Sequence, residues 1–309
     1  MAPGFGGLDP EYCQYEEAFY AVLPVPYDQT STWLRGSEKG PEALLAASTH
    51  LELYDLETDS EPYLAGIYTD APLLCDQTPD LLFGQVYARA QALLNDGKFL
   101  VTIGGNHCVP IGSSKACCER IQGPVSVLQI DAHSDMRESY EGNAYNHACA
   151  MARMKEWAAP VGVGIRSMDR SELVNAKAGK IFSAHYLRHN PGWIQAVVDS
   201  LEEHVYLTID LDGLDPSIMP ATGTPEPGGL LWYETLDLLE AVIQNKTLIG
   251  FDVVELCPGE NTFPSHFLAA KLVYKIMALH QAKLAQMGPI PEKSQPQLSL
   301  KGESNYAKI

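Results

Sequence analysis

One segment near the middle of the chain joins an apolar run to a polar motif: VSVLQI (Val125–Ile130) is followed at once by DAHSD (Asp131 to Asp135). A continuous apolar run of this length, rich in β-branched residues, is typical of a parallel strand covered on both faces. In open α/β sheets, ligands gather just outside the carboxyl ends of the strands. The segment therefore predicts both a buried parallel strand and a polar site at its end.

Two other segments repeat this arrangement. The run FLVTI (99–103) precedes GGNH (104–107), and the run VYLTI (205–209) precedes DLD (210–212). A further strand-like run covers 247–255 and ends in Glu255. Because the carboxyl ends of parallel strands lie at one edge of a sheet, we expect these polar residues to meet there.

The three polar motifs together supply four carboxylates and two imidazoles. These candidate metal ligands are His107, Asp131, His133, Asp135, Asp210 and Asp212. Alternate residues of an extended chain point the same way, so the acids and histidine of DAHSD can converge on one point. Four carboxylates balance two divalent cations, whereas packing them together without neutralisation is costly. The set favours two Mn²⁺ ions, and Ni²⁺ or Zn²⁺ accept the same ligands. A single motif of this kind is weak evidence, because such residues more often cap turns or face solvent than bind a metal.

These motifs resemble those of the ureohydrolase family, which includes arginase and agmatinase. The matching segments are GGNH (104–107), DAHSD (131–135), TIDLDGLDPSIMPATGTPEPGG (208–229), FDVVELCP (251–258) and, near the N-terminus, YDQTSTWLRGSEKGPEALLAAS (27–48). The resemblance extends from about residue 24 to residue 284. It implies an arginase-like α/β fold with three layers, in which a central parallel sheet is flanked by helices.

The resemblance also implies a role for each site residue. The first ion would be bound by His107, Asp131, Asp135 and Asp210. The second ion would be bound by Asp131, His133, Asp210 and Asp212, so that Asp131 and Asp210 bridge. A hydroxide held between the ions would attack the guanidinium carbon of the substrate. His147 would relay protons or protonate the leaving amine, and Glu255 would hold the guanidinium group.

Several of these residues have alternative interpretations. Asp252 lies in the same run as Glu255 and is the other candidate for the functional acid. From spacing alone, His147 is an ordinary loop histidine. Three more acids either shape the pocket or lie on exposed loops: Glu138, Glu141 and Glu226.

Within the family the chain is most similar to agmatinase. Asp135 is followed by MRESYEG (136–142), whereas arginases carry Asn and Ser side chains here that bind the α-amino and α-carboxylate groups of arginine. The expected reaction is therefore hydrolysis of agmatine to putrescine and urea. The alternatives are another guanidino or formimino substrate (guanidinobutyrate, guanidine or formimidoylglutamate) and a non-catalytic, metal-stabilised subunit.

Two residues depart from the family pattern. The family usually has an acid before the first ligand histidine and often Ser after it, where this chain has Asn106 and Cys108. An acid at the first position would act on the site through its ligands. Asn106 carries no charge, so metal affinity or metal preference is expected to differ.

Composition limits the classes of function. The chain has 309 residues with a net charge of −18, which argues against nucleic-acid binding. It has no apolar run long enough to cross a membrane, and its seven scattered cysteines indicate reduced thiols and a cytoplasmic location. We expect one α/β domain over 1–285 and a polar, flexible tail over 286–309. The family resemblance implies a homo-oligomer, either a trimer or a hexamer.

Helices and further strands can be placed between the motifs. Helices are predicted over 40–47, 233–244 and 264–285, and another begins at Pro79 and ends before Gly97. Additional strands are predicted over 21–24, 160–165 and 180–183. The adjacent cysteines Cys117 and Cys118 are interpreted as a pair on a helix and not as a redox centre.

Overall fold

The computed structural model describes residues 4–177 and 179–287, and eight of its strands form one sheet. The strands are β1 Tyr20–Val25, β2 Ile67–Thr69, β3 Phe99–Gly104, β4 Val125–Ile130, β5 Ala159–Ile165, β6 Lys180–Ser183, β7 His204–Asp210 and β8 Thr247–Val254. Their order is β2-β1-β3-β8-β7-β4-β5-β6, and every neighbouring pair is parallel. The predicted parallel sheet is confirmed.

Helices cover both faces of this sheet. They are α1 Gly40–Ser48, α2 Pro79–Asn95, α3 Pro110–Cys118, α4 Ala150–Met154, α5 Leu173–Ala176, α6 Ala184–His189, α7 Trp193–Ser200, α8 Trp232–Asn245 and α9 Phe263–Met287. Short 3-10 turns lie at Phe5–Gly7, Pro10–Tyr12, Ser37–Lys39, Pro62–Ala65, His147–Cys149, Arg170–Glu172 and Leu211–Gly213.

Alternating residues of the strands separate two hydrophobic cores. In β1, Tyr20 and Val22 belong to the core that includes residues of α1 and of α6 to α9, whereas Ala21 and Leu23 belong to the core that includes residues of α2, α3 and α4. This alternation is the period of two that a strand imposes on its side chains. The result is three layers, as the family resemblance implies.

Most predicted elements are present, with ends that differ by one or two residues. The short elements β2 and α4 to α7 were not predicted, because segments of three to eight residues show too few repeats of a hydrophobic period. Helix α9 continues to Met287, so it includes the first two residues of the predicted tail. The rest of that tail lies outside the described residues. Among the residues that are described, no helix combines the length and the apolar character that crossing a bilayer requires.

The strand order brings the polar motifs together. Strands β3, β8, β7 and β4 are consecutive neighbours at the centre of the sheet. The three polar motifs lie at the ends of β3, β7 and β4, and Glu255 follows β8. The motifs are far apart in sequence but meet at the carboxyl edge of these strands. The topology therefore brings the polar motifs to the edge of the sheet where the apolar runs predicted that they would meet.

Candidate active site

His107 lies at the centre of three carboxylates. Its Nδ1 atom is 3.0 Å from Asp131 Oδ2, 3.1 Å from Asp135 Oδ2 and 3.3 Å from Asp210 Oδ2. These side chains follow three different strands, β3, β4 and β7, and all are buried. The structure thus brings four of the six predicted ligands to one point.

The remaining two predicted ligands form a second group beside the first. His133 Nδ1 is 2.9 Å from Asp212 Oδ2 and 3.7 Å from Asp131 Oδ1. Asp131 therefore presents one carboxylate oxygen to each group, which is the arrangement of a bridging ligand. The geometry fits two neighbouring cations that share Asp131.

The environment of His107 fits a bound cation. Its Nε2 atom is 2.9 Å from Thr208 Oγ1, and the Thr208 hydroxyl donates to Asp252 Oδ1 across 2.8 Å. Thr208 therefore accepts from Nε2–H, which leaves the Nδ1 lone pair facing the carboxylates. Nδ1 is buried, and none of the three nearby carboxylate oxygens is aligned with it for a hydrogen bond. A lone pair aimed at carboxylate oxygens is unfavourable unless a cation lies between them.

The charges of the two groups also fit a cation. Burial, together with Asp135 and Asp212, raises the pKa of Asp131 to about 7. Burial alone would likewise raise the pKa of Asp212, but the hydrogen bond with His133 lowers it to about 2. Such a cluster holds extra protons when it is empty, and divalent ions displace those protons on binding.

Two site residues adopt left-handed backbone conformations. Asp135 has φ +50° and Glu255 has φ +66°, conformations that cost non-glycine residues roughly 1–2 kcal/mol. Strand β4 ends at Ile130, so Asp135 reaches the site through a turn and not through the alternation of an extended chain. Strain of this kind persists where the surroundings hold it, as they do at functional sites.

The structure separates the two candidate acids, Asp252 in β8 and Glu255 directly after it. Glu255 lines a cleft, and its Oε1 accepts from His107 N at 2.8 Å and from Asn106 Nδ2 at 3.1 Å. Asp252 is fully buried, does not line the cleft, and accepts from Thr208. Of these two acids, Glu255 alone lines the cleft.

His147 begins a 3-10 turn whose preceding residue, Asn146, accepts from Ala148 N through its side chain. The Nδ1 atom of His147 is 3.0 Å from Thr30 Oγ1. Burial lowers the pKa of His147, against the opposing charge of Asp135. The imidazole is therefore neutral near neutral pH and lies in the same cleft as Glu255.

The cleft has a volume of about 150 Å³. It is lined by Thr32, His133, Ser134, Asp135, Arg137, Tyr140, His147, Ala148, Ser167, Met168, Asp169, Glu172, Asp210, Asp212, Thr224 and Glu255. The acids that were weighed as pocket residues, Glu138, Glu141 and Glu226, are not among them. Glu138 is exposed and pairs with Arg153 and Lys155.

Sequence reasoning did not single out Arg137, Tyr140 and Glu172 as neighbours in one wall of the cleft. The Arg137 guanidinium lies 4.6 Å from the centre of the Tyr140 ring, and its Nε atom is 3.3 Å from Glu172 Oε1. Glu172 also accepts from Met136 N. No local pattern connects these residues, because Glu172 lies in a different loop.

Comparison with known proteins agrees with this geometry. The arginase family matches residues 18–279. The N(1)-aminopropylagmatine ureohydrolase of Synechocystis sp. is 41% identical over 85% of this chain and 89% of its own length. The protein of the same name from Thermus thermophilus is 38% identical over 86% of this chain and 91% of its own length. The crystal structure of the agmatine ureohydrolase of Thermoplasma volcanium has a TM-score of 0.81 and 31% identity, and the match covers 88% of this chain and 93% of that one. The chain is therefore a member of the arginase family and a ureohydrolase of the agmatinase-like type.

Proposed function

We propose that the protein hydrolyses the guanidino group of agmatine, with putrescine and urea as products, and that it does so with two divalent metal ions. The observation that carries this proposal is that His147 and Glu255 line the same cleft as the ligand groups. A guanidinium-binding acid and a proton carrier thus lie beside a site for two cations.

Six residues would hold the ions. The first would be bound by His107, Asp131, Asp135 and Asp210, and the second by Asp131, His133, Asp210 and Asp212. When bound, two divalent ions supply an activated water and positive charge at the reacting centre. The carboxylate-rich set favours Mn²⁺.

Glu255 and His147 would act on the substrate directly. Guanidinium is planar and pairs well with a fixed carboxylate, and the two hydrogen bonds to Glu255 Oε1 keep that carboxylate in place. The neutral His147 can take a proton from the attacking water and give it to the leaving amine. The amine departs only when its nitrogen is protonated.

The charge of the cleft favours a cationic substrate without a carboxylate. Apart from the ligands, three carboxylates line the cleft, those of Asp169, Glu172 and Glu255, against the single guanidinium of Arg137. Arg137 is paired with Glu172, so Asp169 and Glu255 remain. Burial raises the pKa of Glu255 to about 8, and a cationic substrate beside it would favour its charged form. Agmatine carries a positive charge at each end. Glu255, near the ligands, and the exposed Asp169 could each meet one of these charges.

A second candidate substrate is N(1)-aminopropylagmatine. It is favoured by the names of the Synechocystis and Thermus relatives, which match most of this chain. Both substrates present the same guanidino group, and they differ in the amine chain that would extend toward Asp169. We further propose that the enzyme is cytoplasmic, which agrees with the free cysteines of the described residues. We also propose that it is a homo-oligomer, as the family resemblance implies.

A urea-release assay of the Mn²⁺-loaded protein tests the proposal. The panel contains agmatine, N(1)-aminopropylagmatine, arginine, guanidinobutyrate and guanidine, with ammonia release measured for formimidoylglutamate. We expect the highest kcat/KM for agmatine or its aminopropyl derivative and a much lower value for arginine. Equal turnover of arginine and agmatine would contradict the substrate assignment. Absence of product from every compound would support the non-catalytic alternative.

A further inference from the structure

A continuous chain of hydrogen bonds connects Glu255 to His147 through two buried side chains. Asn106 Nδ2 donates to Glu255 Oε1 at 3.1 Å, and Thr30 Oγ1 donates to Asn106 Oδ1 at 2.8 Å. His147 Nδ1 is 3.0 Å from the same Thr30 oxygen. Asn106 is 1% exposed and Thr30 is 6% exposed, so water does not compete for these contacts.

The direction of each hydrogen bond in this chain is determined by its partners. The backbone N–H of Thr30 can only donate, and it lies 3.1 Å from Asn106 Oδ1, which identifies that atom as the amide oxygen. Asn106 Nδ2 then donates to Glu255 and, at 2.9 Å, to Ser31 Oγ. Because Oδ1 cannot donate, the Thr30 hydroxyl proton must point at Asn106.

The state of His147 follows from the Thr30 hydroxyl. A hydroxyl has one proton, and that of Thr30 is used toward Asn106. Toward His147 the Thr30 oxygen can therefore only accept, so Nδ1 of His147 must carry a hydrogen. In the neutral ring this leaves the lone pair on Nε2.

We propose that Thr30 and Asn106 are positioning residues, which fix the Nδ1–H tautomer of His147 and couple it to the orientation of Glu255. This inference rests on the proposed function, because it assigns these residues to the same reaction. With Nδ1–H held by Thr30, only Nε2 can take the proton of the attacking water. The same nitrogen then returns that proton to the leaving amine, and Nδ1 keeps its hydrogen throughout.

The coupling matters because the two ends of the chain act on one substrate. Glu255 would hold the guanidinium group while His147 supplies the proton to its leaving nitrogen. A ring in the other tautomer would present N–H where a proton acceptor is needed. Thr30 thus contributes to catalysis without touching the substrate.

Nuclear magnetic resonance of the histidine rings tests the tautomer directly. The full chain is labelled with ¹³C and ¹⁵N in histidine and loaded with diamagnetic Zn²⁺, and the His147 signal is assigned by its loss in His147→Gln. We expect the Nδ1–H tautomer in the wild type and in Thr30→Ser. In Thr30→Val we expect Nε2–H or a mixture. A wild-type ring with Nε2–H, or an unchanged tautomer in Thr30→Val, would overturn the inference.

Steady-state kinetics with the substrate that the urea screen identifies provide the second readout. Thr30→Val should lower kcat by about 10-fold or more with little change in KM, a part of the about 10²–10⁴-fold that proton transfer contributes. Thr30→Ser should restore kcat. The matched control is Thr102→Val in β3, where a fully buried hydroxyl lacks a partner among the described residues.

The two readouts distinguish this inference from the proposed function. If urea is released and Thr30→Val keeps the wild-type kcat, the positioning role is wrong and the function stands. If no compound yields urea, the function is wrong, and the tautomer measurement alone still decides whether Thr30 fixes the ring. Loss of folding in Thr30→Val would leave the wild-type tautomer as the deciding measurement.

Discussion

Thr208 accepts the Nε2–H of His107 across 2.9 Å, and this single contact decides which nitrogen of the ring faces the carboxylates. The Thr208 hydroxyl in turn donates to Asp252 Oδ1 at 2.8 Å, so the buried acid of β8 would support a metal ligand, and it does not line the cleft. Partners of this kind orient metal-binding histidines and strengthen them as ligands.

The first prediction concerns this contact. Thr208→Val removes the acceptor for Nε2–H but keeps the shape of the side chain, so metal affinity should fall by about 10–100-fold. Isothermal titration calorimetry with Mn²⁺ measures the change. Thr102→Val is the control, because it makes the same substitution at another buried threonine. Unchanged affinity in Thr208→Val would mean that the carboxylates alone hold the ring.

A second prediction concerns the bridging acids. Metal analysis after mild Mn²⁺ loading should approach two equivalents per chain, because Asp131 presents one oxygen to each ligand group. Asp131→Asn and Asp210→Asn should each lose both ions. Asp252→Asn changes a buried acid outside the ligand set, so this variant should keep both ions at saturating metal concentration. Full metal content in the first two variants would exclude bridging.

The third prediction is for His147. His147→Ala should lower kcat by about 10²–10⁴-fold, the usual contribution of a proton carrier. Metal content should stay at the wild-type level, because His147 lies outside the ligand groups. Parallel metal analysis and urea assays make the comparison. A variant that loses activity only through loss of metal would show that His147 is a ligand or a structural residue.

The fourth prediction concerns Glu255. Glu255→Gln should reduce kcat/KM for every guanidino substrate alike, because this acid would hold their shared group. A neutral amide cannot form the charged pair, which is worth about 1.5–3 kcal/mol for a hydrogen bond to a charged group. The urea assay across the substrate panel measures the effect. A loss of kcat/KM for one substrate only would mean that Glu255 contacts the amine chain and not the guanidino group.

The fifth prediction links stability to pH through His280. This buried ring lies 4.3 Å from the centre of Phe99 and 3.1 Å from Tyr20 Oη, and burial lowers its pKa to about 4. The unfolded chain protonates histidine near pH 6.5, so stability from the neutral ring is present above that pH and is lost as the pH falls toward 4. The loss should reach about 3 kcal/mol at most. Urea unfolding of wild type and His280→Gln at pH 7.5 and 4.5 measures it. An equal pH dependence of stability in both proteins would exclude His280 as its cause.

Most of the fold could be predicted because its signals are local. The apolar runs of β3, β4, β7 and β8 contain enough residues to indicate buried parallel strands, and Pro79 and Gly97 bracket α2. Strand β2 has only three residues and exists through its pairing with β1. Elements that depend on a neighbour for their stability carry little signal of their own.

The candidate site divides in the same way between local and long-range information. By itself, the sequence determined the six candidate ligands and the edge of the sheet where they meet, because their residue types and their positions after strands are local properties. Only the tertiary structure decided between Glu255 and Asp252, because that choice depends on which side chain reaches the cleft and which packs beneath Thr208. It also decided the contact between Thr30 and Asn106, which are 76 residues apart in sequence. Contacts of this kind form only when strand pairing brings distant segments together, so no local pattern of residues predicts them.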